Sequence, residues 1–346
     1  MKPRITIKEI AKQADVSIGT VDRVLHDRGR VSPETKERVL RIAKEGNYSS
    51  NVYARNLKLN KTYHLAVILP EKNSYWVKHR QGVEKAVAEY DFLQVDMHAY
   101  SLAVESQTEI EGIIQEVVAA KPDGIVLAPI FLNENSPAVE RLKKSQIPVI
   151  LVDSKIPLPN CLSYIGQDAF QSGRMSGGLL HEGYSENYDL YVITFQMADL
   201  YNKTIAARIE GLENYFEEVN NSPQVIKINM EQEAMGYSEL IERMLIRKKP
   251  VRVFVPNSRS YFLATEMNEV KQELKLRMVG YDLIEENKMY LEDGTINYLI
   301  HQQPKQQGFK AIQALHQHLL LNMEVEQQQF LPLDIITKEN LMYCEH

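Results

Sequence analysis

From residue 63 onward, short apolar runs rich in β-branched residues alternate with longer amphipathic stretches. This alternation limits what the chain can fold into more than any other feature. The runs are YHLAVIL (63–69), LQVDMHA (93–99), GIVLAP (124–129), IPVILVD (147–153), LYVIT (190–194), VRVFVP (251–256) and LRMVGYD (276–282). Amphipathic stretches lie between them at 79–90, 105–120, 204–218 and 260–273. A strand apolar on both faces must be covered on both faces, and a parallel neighbour is reached only through a crossover long enough to hold a helix. The pattern predicts an α/β region of parallel sheets between helices, and its length accommodates two such sheets.

In sheets of this kind, ligands bind outside the carboxyl ends of the strands. Polar residues just past those ends are therefore the candidates. Asn73, Tyr75 and Trp76 follow the first run, and Asp153 follows the fourth. Asp168 comes after CLSYIG, Arg208 sits near a helix start, Asn257 and Asp282 follow two late runs, and Gln302 lies in HQQP. Carboxylates and amides match vicinal hydroxyls, aromatic faces stack on the apolar side of a sugar ring, and arginine supplies a forked donor pair. Taken singly, each residue is better explained by capping and loop chemistry; nine together point to a site for a small polyhydroxylated ligand.

The amino end is different in kind. Residues 1–61 carry 14 Lys and Arg against 7 Asp and Glu, whereas the remaining 285 carry 26 against 39. A basic head on an acidic body points to a polyanion partner for the head alone. TIKEIAKQA reads as a helix with a capping box between Thr6 and Glu9. Ser17 caps a second short helix through about Leu25, with Val21 and Val24 inward and Thr20 and Arg23 outward. Ser32-Pro33 opens a third, which stops at Gly46. Helix, tight turn, helix and a supporting third helix make a helix-turn-helix unit, or else an ordinary three-helix bundle. Residues 51–60, NVYARNLKLN, are too short for a helix stable alone; they can fold on DNA and press Leu57 into a minor-groove step, or serve as a plain linker.

Several function classes find no support. No apolar run approaches the roughly 20 residues that span a membrane. The opening MKPRITIKEIAKQ lacks the apolar core of a secretory signal, and Cys161 and Cys344 form no CxxC, so a reduced, cytoplasmic setting is expected. There is no phosphate loop, HExxH or GxSxG, and the histidines show no zinc-ligand spacing. GRMSGG (173–178) has the wrong spacing for a phosphate loop and is expected to open a closely packed helix. No enzyme activity, cofactor or metal is expected.

The stretch from Ile5 to Pro70 resembles the amino end of the LacI/GalR family of bacterial transcription regulators. It carries the V-S-x-x-T-V-x-R-V-L core and, at Gly46-Asn47-Tyr48-Ser49-Ser50-Asn51, the element after the third helix. The resemblance implies that Ile18, Gly19 and Arg23 enter a major groove and that Leu57 is the wedge of a hinge helix. The implied DNA-facing set is Thr6, Ser17, Ile18, Gly19, Thr20, Arg23 and Arg30 in the head, with Asn51, Arg55, Leu57 and Lys58 in the hinge. Asp22 stands where the family usually has serine. The body resembles a periplasmic-binding-protein-type sensor, nearest the ribose-binding branch, and the nine candidates named above fall on that branch's ligand positions. Ser154 follows Asp153 where ribose binders have arginine, and Ser258 follows Asn257 where aspartate is usual. A furanose pentose, another polyol, a hexose and a non-sugar hydroxylated compound all stay open as ligand.

The resulting expectation is a small all-α helix-turn-helix domain (1–50), a hinge (51–61) and a type I periplasmic-binding-protein fold of two doubly wound parallel-sheet subdomains (62–346). The first subdomain takes about 62–166 and 302–330, the second about 167–301 and 331–346. Such a chain is expected to act as a homodimer on a palindromic double-stranded DNA operator, as a repressor under allosteric control of a small carbohydrate or polyol effector. The alternative is a sugar-specific solute-binding protein without DNA binding.

Overall fold

The computed structural model describes residues 5–25, 29–46, 62–71, 74–100, 107–130, 132–182, 187–200, 202–219 and 223–344. The chain divides into two compact units, 1–60 and 61–346. The expected hinge residues Asn51, Arg55, Leu57 and Lys58, and the ligand candidate Asn73, lie outside the described residues.

The first unit holds α1 (Ile7–Ala14), α2 (Ile18–Leu25) and α3 (Pro33–Glu45). Thr6 and Glu9 form the capping box of α1, the Thr6 backbone N–H reaching a Glu9 carboxylate oxygen at 2.8 Å. Ser32 caps α3 with Pro33 as its first residue, and Gly46 closes it. Ile10, Ala11, Ala14, Val21, Val24, Val39 and Ala43 bury together, one stripe from each helix. Gly29, at φ 77°, takes the left-handed backbone that the turn into α3 requires.

The second unit contains two sheets of the same design. In the first lobe, β1 (Tyr63–Pro70), β2 (Leu93–Tyr100), β3 (Gly124–Leu127), β4 (Val149–Val152) and β5 (Cys161–Gly166) alternate with α4 (Ser74–Glu89), α5 (Gln107–Ala120) and α6 (Pro137–Ser145). In the second, β6 (Asp189–Thr194), β7 (Gln224–Asn229), β8 (Val251–Phe254), β9 (Arg277–Tyr281) and β10 (Tyr298–His301) alternate with α7 (Ala169–His181) before β6, then α8 (Met197–Leu200), α9 (Lys203–Glu218), α10 (Tyr237–Ile246), α11 (Ser260–Met267) and α12 (Glu285–Glu292). The chain then returns to the first lobe with α13 (Pro304–Leu319) and β11 (Gln328–Phe330), and ends in the second with β12 (Asp334–Ile336). The strand orders are β11-β5-β4-β3-β1-β2 and β12-β10-β9-β8-β6-β7. All pairings are parallel except β10 with β12.

Apart from LQVDMHA, which forms the edge strand β2, the apolar runs form central strands, and β1 exposes only His64. Each lobe also has one very close helix crossing. A Cβ on Gly82 of α4 would meet the Lys305 carbonyl oxygen of α13 at 1.9 Å, and one on Gly308 would meet the His79 oxygen at 2.1 Å. In the second lobe, Gly173 of α7 lies against Arg208 O and Gly211 of α9 against Phe170 O, at 1.9 and 2.0 Å for the same added atom. The GRMSGG stretch thus lies inside α7 rather than opening it, since Asp168 already caps that helix five residues before Gly173.

Three chain segments cross between the lobes, after β5, after β10 and after β11. Gln167 joins all three. It sits on the first, and its amide donates to His301 O at 2.9 Å on the second and to Pro332 O at 2.6 Å on the third.

Candidate functional site

The cleft between the lobes is built at the carboxyl ends of the strands, where parallel topology leaves a crevice. It encloses about 100 Å³ and is lined by Tyr75, Trp76, Ile130, Asp153, Asp199, Asn202, Thr204, Ile205, Arg208, Asn257, Ser258, Arg259, Asp282 and Gln302. That volume lies below the ~300 Å³ at which sites for drug-sized ligands begin. It suits a small polar molecule rather than an oligosaccharide.

A hydrogen-bonded chain forms the hinge-side wall. Arg208, on the second turn of α9, donates through Nη1 to Pro256 O at 2.8 Å and through Nη2 to Gln302 Oε1. Its guanidinium lies over the Tyr281 ring, 3.9 Å from the centroid. Gln302 Nε2 donates in turn to Asp282 Oδ2 at 2.8 Å. Asp282 is 2 % exposed, and its Oδ1 has no hydrogen-bond partner among the described residues. Burial pushes its carboxyl up to about 7, against the opposing pull of Arg208 and Gln302. Beside it, Tyr75 donates its hydroxyl to Asp153 Oδ1 at 2.9 Å and accepts from Gln307 at 3.2 Å. Burial, then the Asp153 and Asp282 charges, raise the Tyr75 phenol well above its ordinary range, so it stays a neutral donor. Trp76 is almost wholly buried, set edge-on to Tyr75 at 4.8 Å.

The opposite wall comes from the second lobe. Asp199 accepts the backbone N–H of Phe195 at 3.0 Å and of Gln196 at 3.2 Å, and pairs with Arg259 at 3.3 Å. Asn202 caps α9, its Oδ1 accepting from Thr204 N and Ile205 N. Asn257 Oδ1 accepts from Arg259 N at 3.1 Å. The lobes meet directly across the cleft: Ser154 Oγ and Thr204 Oγ1 are 2.9 Å apart, Lys78 donates to Leu283 O at 2.5 Å, and Lys203 pairs with Glu134.

Of the residues expected from sequence, Tyr75, Trp76, Asp153, Arg208, Asn257, Asp282 and Gln302 line this cleft together. Asp168 does not. Its Oδ1 accepts from Gln171 N at 3.0 Å, and it serves as the cap of α7. The sequence reading missed Asp199, Asn202, Thr204, Ser258 and Arg259. A usable signal existed: FQMADLYN directly follows the strand that contains LYVIT, the same position rule that selected Asp153.

In the first unit, α2 presents one polar face. Ile18 is 50 % exposed. Nothing crowds Gly19, whose nearest neighbour for an added Cβ is Ser17 Oγ at 3.8 Å. Ser17 Oγ accepts from Thr20 N at 3.1 Å, starting the helix, and Arg23 Nε donates back to Gly19 O at 3.1 Å along the exposed side. Arg30 is also exposed, while Thr6 spends its side chain on the cap of α1. Among the described residues no group of His, Cys, Asp and Glu is arranged to hold a metal, and no helix is long and apolar enough to cross a membrane.

Two doubly wound lobes with three crossovers and a polar cleft define a ligand-binding domain of the periplasmic-binding-protein class. The chain belongs to that family: the profile of the periplasmic binding protein domain matches residues 65–322. Its head matches the profile of bacterial regulatory proteins of the lacI family over residues 6–51. Among curated proteins, catabolite control protein A of Priestia megaterium is 28 % identical over 172 residues, 49 % of this chain and 50 % of that one. The sucrose operon repressor of Klebsiella pneumoniae is 28 % identical over 181 residues, 47 % of this chain and 52 % of that one. The chain thus spans about half the length of the curated relatives it matches. A solved structure from Bacteroides fragilis, described as a LacI transcriptional regulator, superposes with a TM-score of 0.72 at 26 % identity, over 82 % of this chain and 99 % of that one. A carbohydrate transporter solute-binding protein from Agrobacterium radiobacter, in complex with D-arabinose, shares the fold with a TM-score of 0.68 at 22 % identity, over 81 % and 96 %.

Proposed function

We propose that this chain is a sequence-specific DNA-binding transcription regulator, a repressor, whose operator affinity is set by a small sugar-like effector held in the cleft. The observation that carries this reading is the pairing, on one chain, of a lacI-family head with a cleft whose walls present carboxylates, amides and a buried tryptophan. The relatives named as regulators support it, as does the exposed polar face of α2. The chain works in the cytoplasm as a homodimer on a palindromic operator, since two equivalent heads reading two half-sites match a two-fold site. The described cleft residues act by binding rather than by chemistry.

In this mechanism the effector adds bonds to both lobes and so favours the closed arrangement over the open one. Closure of two paired bodies changes whether their heads fit two half-sites at once. The ligand and the operator are then coupled, and the coupling is reciprocal. The hinge residues Asn51, Arg55, Leu57 and Lys58 carry the connection between the units, with Leu57 as minor-groove wedge.

Gel-shift titration against DNA flanking the chain's own gene, with and without a panel of sugars and polyols, tests the reading. Arg23→Ala is expected to lower operator affinity with ligand affinity unchanged, and Asp282→Ala to do the reverse. A protein that binds sugars yet shifts none of this DNA at low salt would instead be a solute-binding protein.

A further inference from the structure

The cleft lining falls into two chemically different groups. One offers acceptors: Asp282 Oδ1 has no partner among the described residues, and Asp153 stands beside it. The other offers donors. Asn202 and Asn257 both spend their oxygen on backbone N–H groups, which leaves each Nδ2 as a donor. Ser258 contributes a hydroxyl. Arg259 uses only Nη1, reaching Asp199 at 3.3 and 3.5 Å, long for a charge-assisted bond. Its Nη2 and Nε make no hydrogen bond to another described residue. The one carboxylate there, Asp199, is already occupied by two backbone N–H groups and by Arg259. Arg208 is the weaker candidate, since Pro256, Gln302 and the Tyr281 face hold its two Nη groups and ring-facing side in place and leave only Nε without a partner among the described residues.

We propose that the effector is a polyol bearing one anionic group, a phosphate or a carboxylate, which Arg259 receives as the specificity-determining residue. The inference rests on the polyol reading of the cleft and narrows it. The hydroxyls face Asp153 and Asp282, and the anion faces Arg259, Asn202, Asn257 and Ser258. A guanidinium fork with two amide donors matches the oxygens of either anion, whereas a neutral sugar would offer its Nη2 and Nε edge no charge beyond the long pairing with Asp199.

Calorimetric and thermal-shift titrations of the full chain with matched sets test this. The sets are D-ribose, D-ribose 5-phosphate and D-ribonate; D-glucose, D-glucose 6-phosphate and D-gluconate; glycerol, glycerol 3-phosphate and glycerate. In at least one set an anionic member is expected to bind about ten-fold or more tighter than its neutral parent, as a charge-assisted bond implies. Arg259→Gln should remove that preference by weakening the anionic member far more than its neutral parent, with urea unfolding showing the variant to be folded, and Arg259→Lys should keep part of it. Preference for the phosphates or for the carboxylates alone identifies the anion. If neutral parents bind and their anionic partners do not, or if Arg259→Gln weakens both equally, the inference falls and the polyol reading stands. If no member of any set binds, both fall.

Discussion

Asp153 and Asp282 are structural counterparts. Asp153 follows β4, Asp282 follows β9, and these strands hold the same place in their two sheets. Both residues adopt left-handed backbone, at φ 63° and 68°. Both donate their N–H to the neighbouring strand, to Ile165 O at 3.2 Å and to Ile300 O at 2.9 Å. The kink ends each strand and turns a carboxylate into the cleft. Aspartate and asparagine tolerate this conformation, and β-branched residues do not. Asp282→Asn should therefore fold normally and lose ligand affinity, while Asp282→Val should lose the ligand and also about 1–3 kcal/mol of stability. Urea unfolding of the two variants beside calorimetry separates the effects.

The raised Asp282 carboxyl makes stability depend on pH. Folded, it titrates near 7; unfolded, near its ordinary 3.8. Between these values the folded state holds a proton that the unfolded state has released. Its contribution is therefore full below about pH 4, declines as pH rises through the interval, and is gone above about 7. Melting curves from pH 5 to 8 should show wild type losing stability relative to Asp282→Asn as pH rises. Parallel curves would exclude the assignment.

Gly173→Ala has an expected sign opposite to helix propensity. In an open helix the change stabilises by up to about 1 kcal/mol. Here the new methyl would lie 1.9 Å from Arg208 O, so α7 and α9 must separate. A loss of about 2 kcal/mol or more is expected in denaturant unfolding. Because Arg208 rides on α9, ligand affinity should fall as well.

Gln167→Ala orphans two carbonyls, one on each of the other crossovers. The expected cost is about 1–3 kcal/mol. The more informative readout is the distance between dyes on the two lobes: with the crossovers untied, its distribution should broaden in ligand-free protein.

Thr6→Ala removes the side-chain half of the capping box, the hydroxyl that accepts from Glu9 N, and leaves the backbone half in place. A loss of about 1 kcal/mol is expected, confined to the head. Hydrogen exchange should quicken in α1 while the α/β unit keeps its protection.

The α/β architecture was legible because buried parallel strands need unbroken apolar runs, and each run from YHLAVIL to LRMVGYD contains a strand. Of the four edge strands, β2 was read from LQVDMHA, but β7, β11 and β12 gave no comparable run, since edges pair on one side and carry exposed polar residues, as in QQF and the lysine of QVIKIN. The cleft was legible where a polar residue follows a strong strand, as with Asp153 and Asp282. The same cue failed at Asp168, because an aspartate after a strand is equally the cap of the next helix. Arg259 escaped notice because its place depends on Asp199, sixty residues away, a proximity that only folding creates.

The strands β11 and β12 are separated by three residues yet complete different sheets. Neither lobe completes its sheet until this stretch has left the ribosome, so β5 and β10 stay unpaired on one side in a shorter nascent chain. Synthesis interrupted before residue 328 would leave both in that state. One short stretch thus finishes both lobes at once.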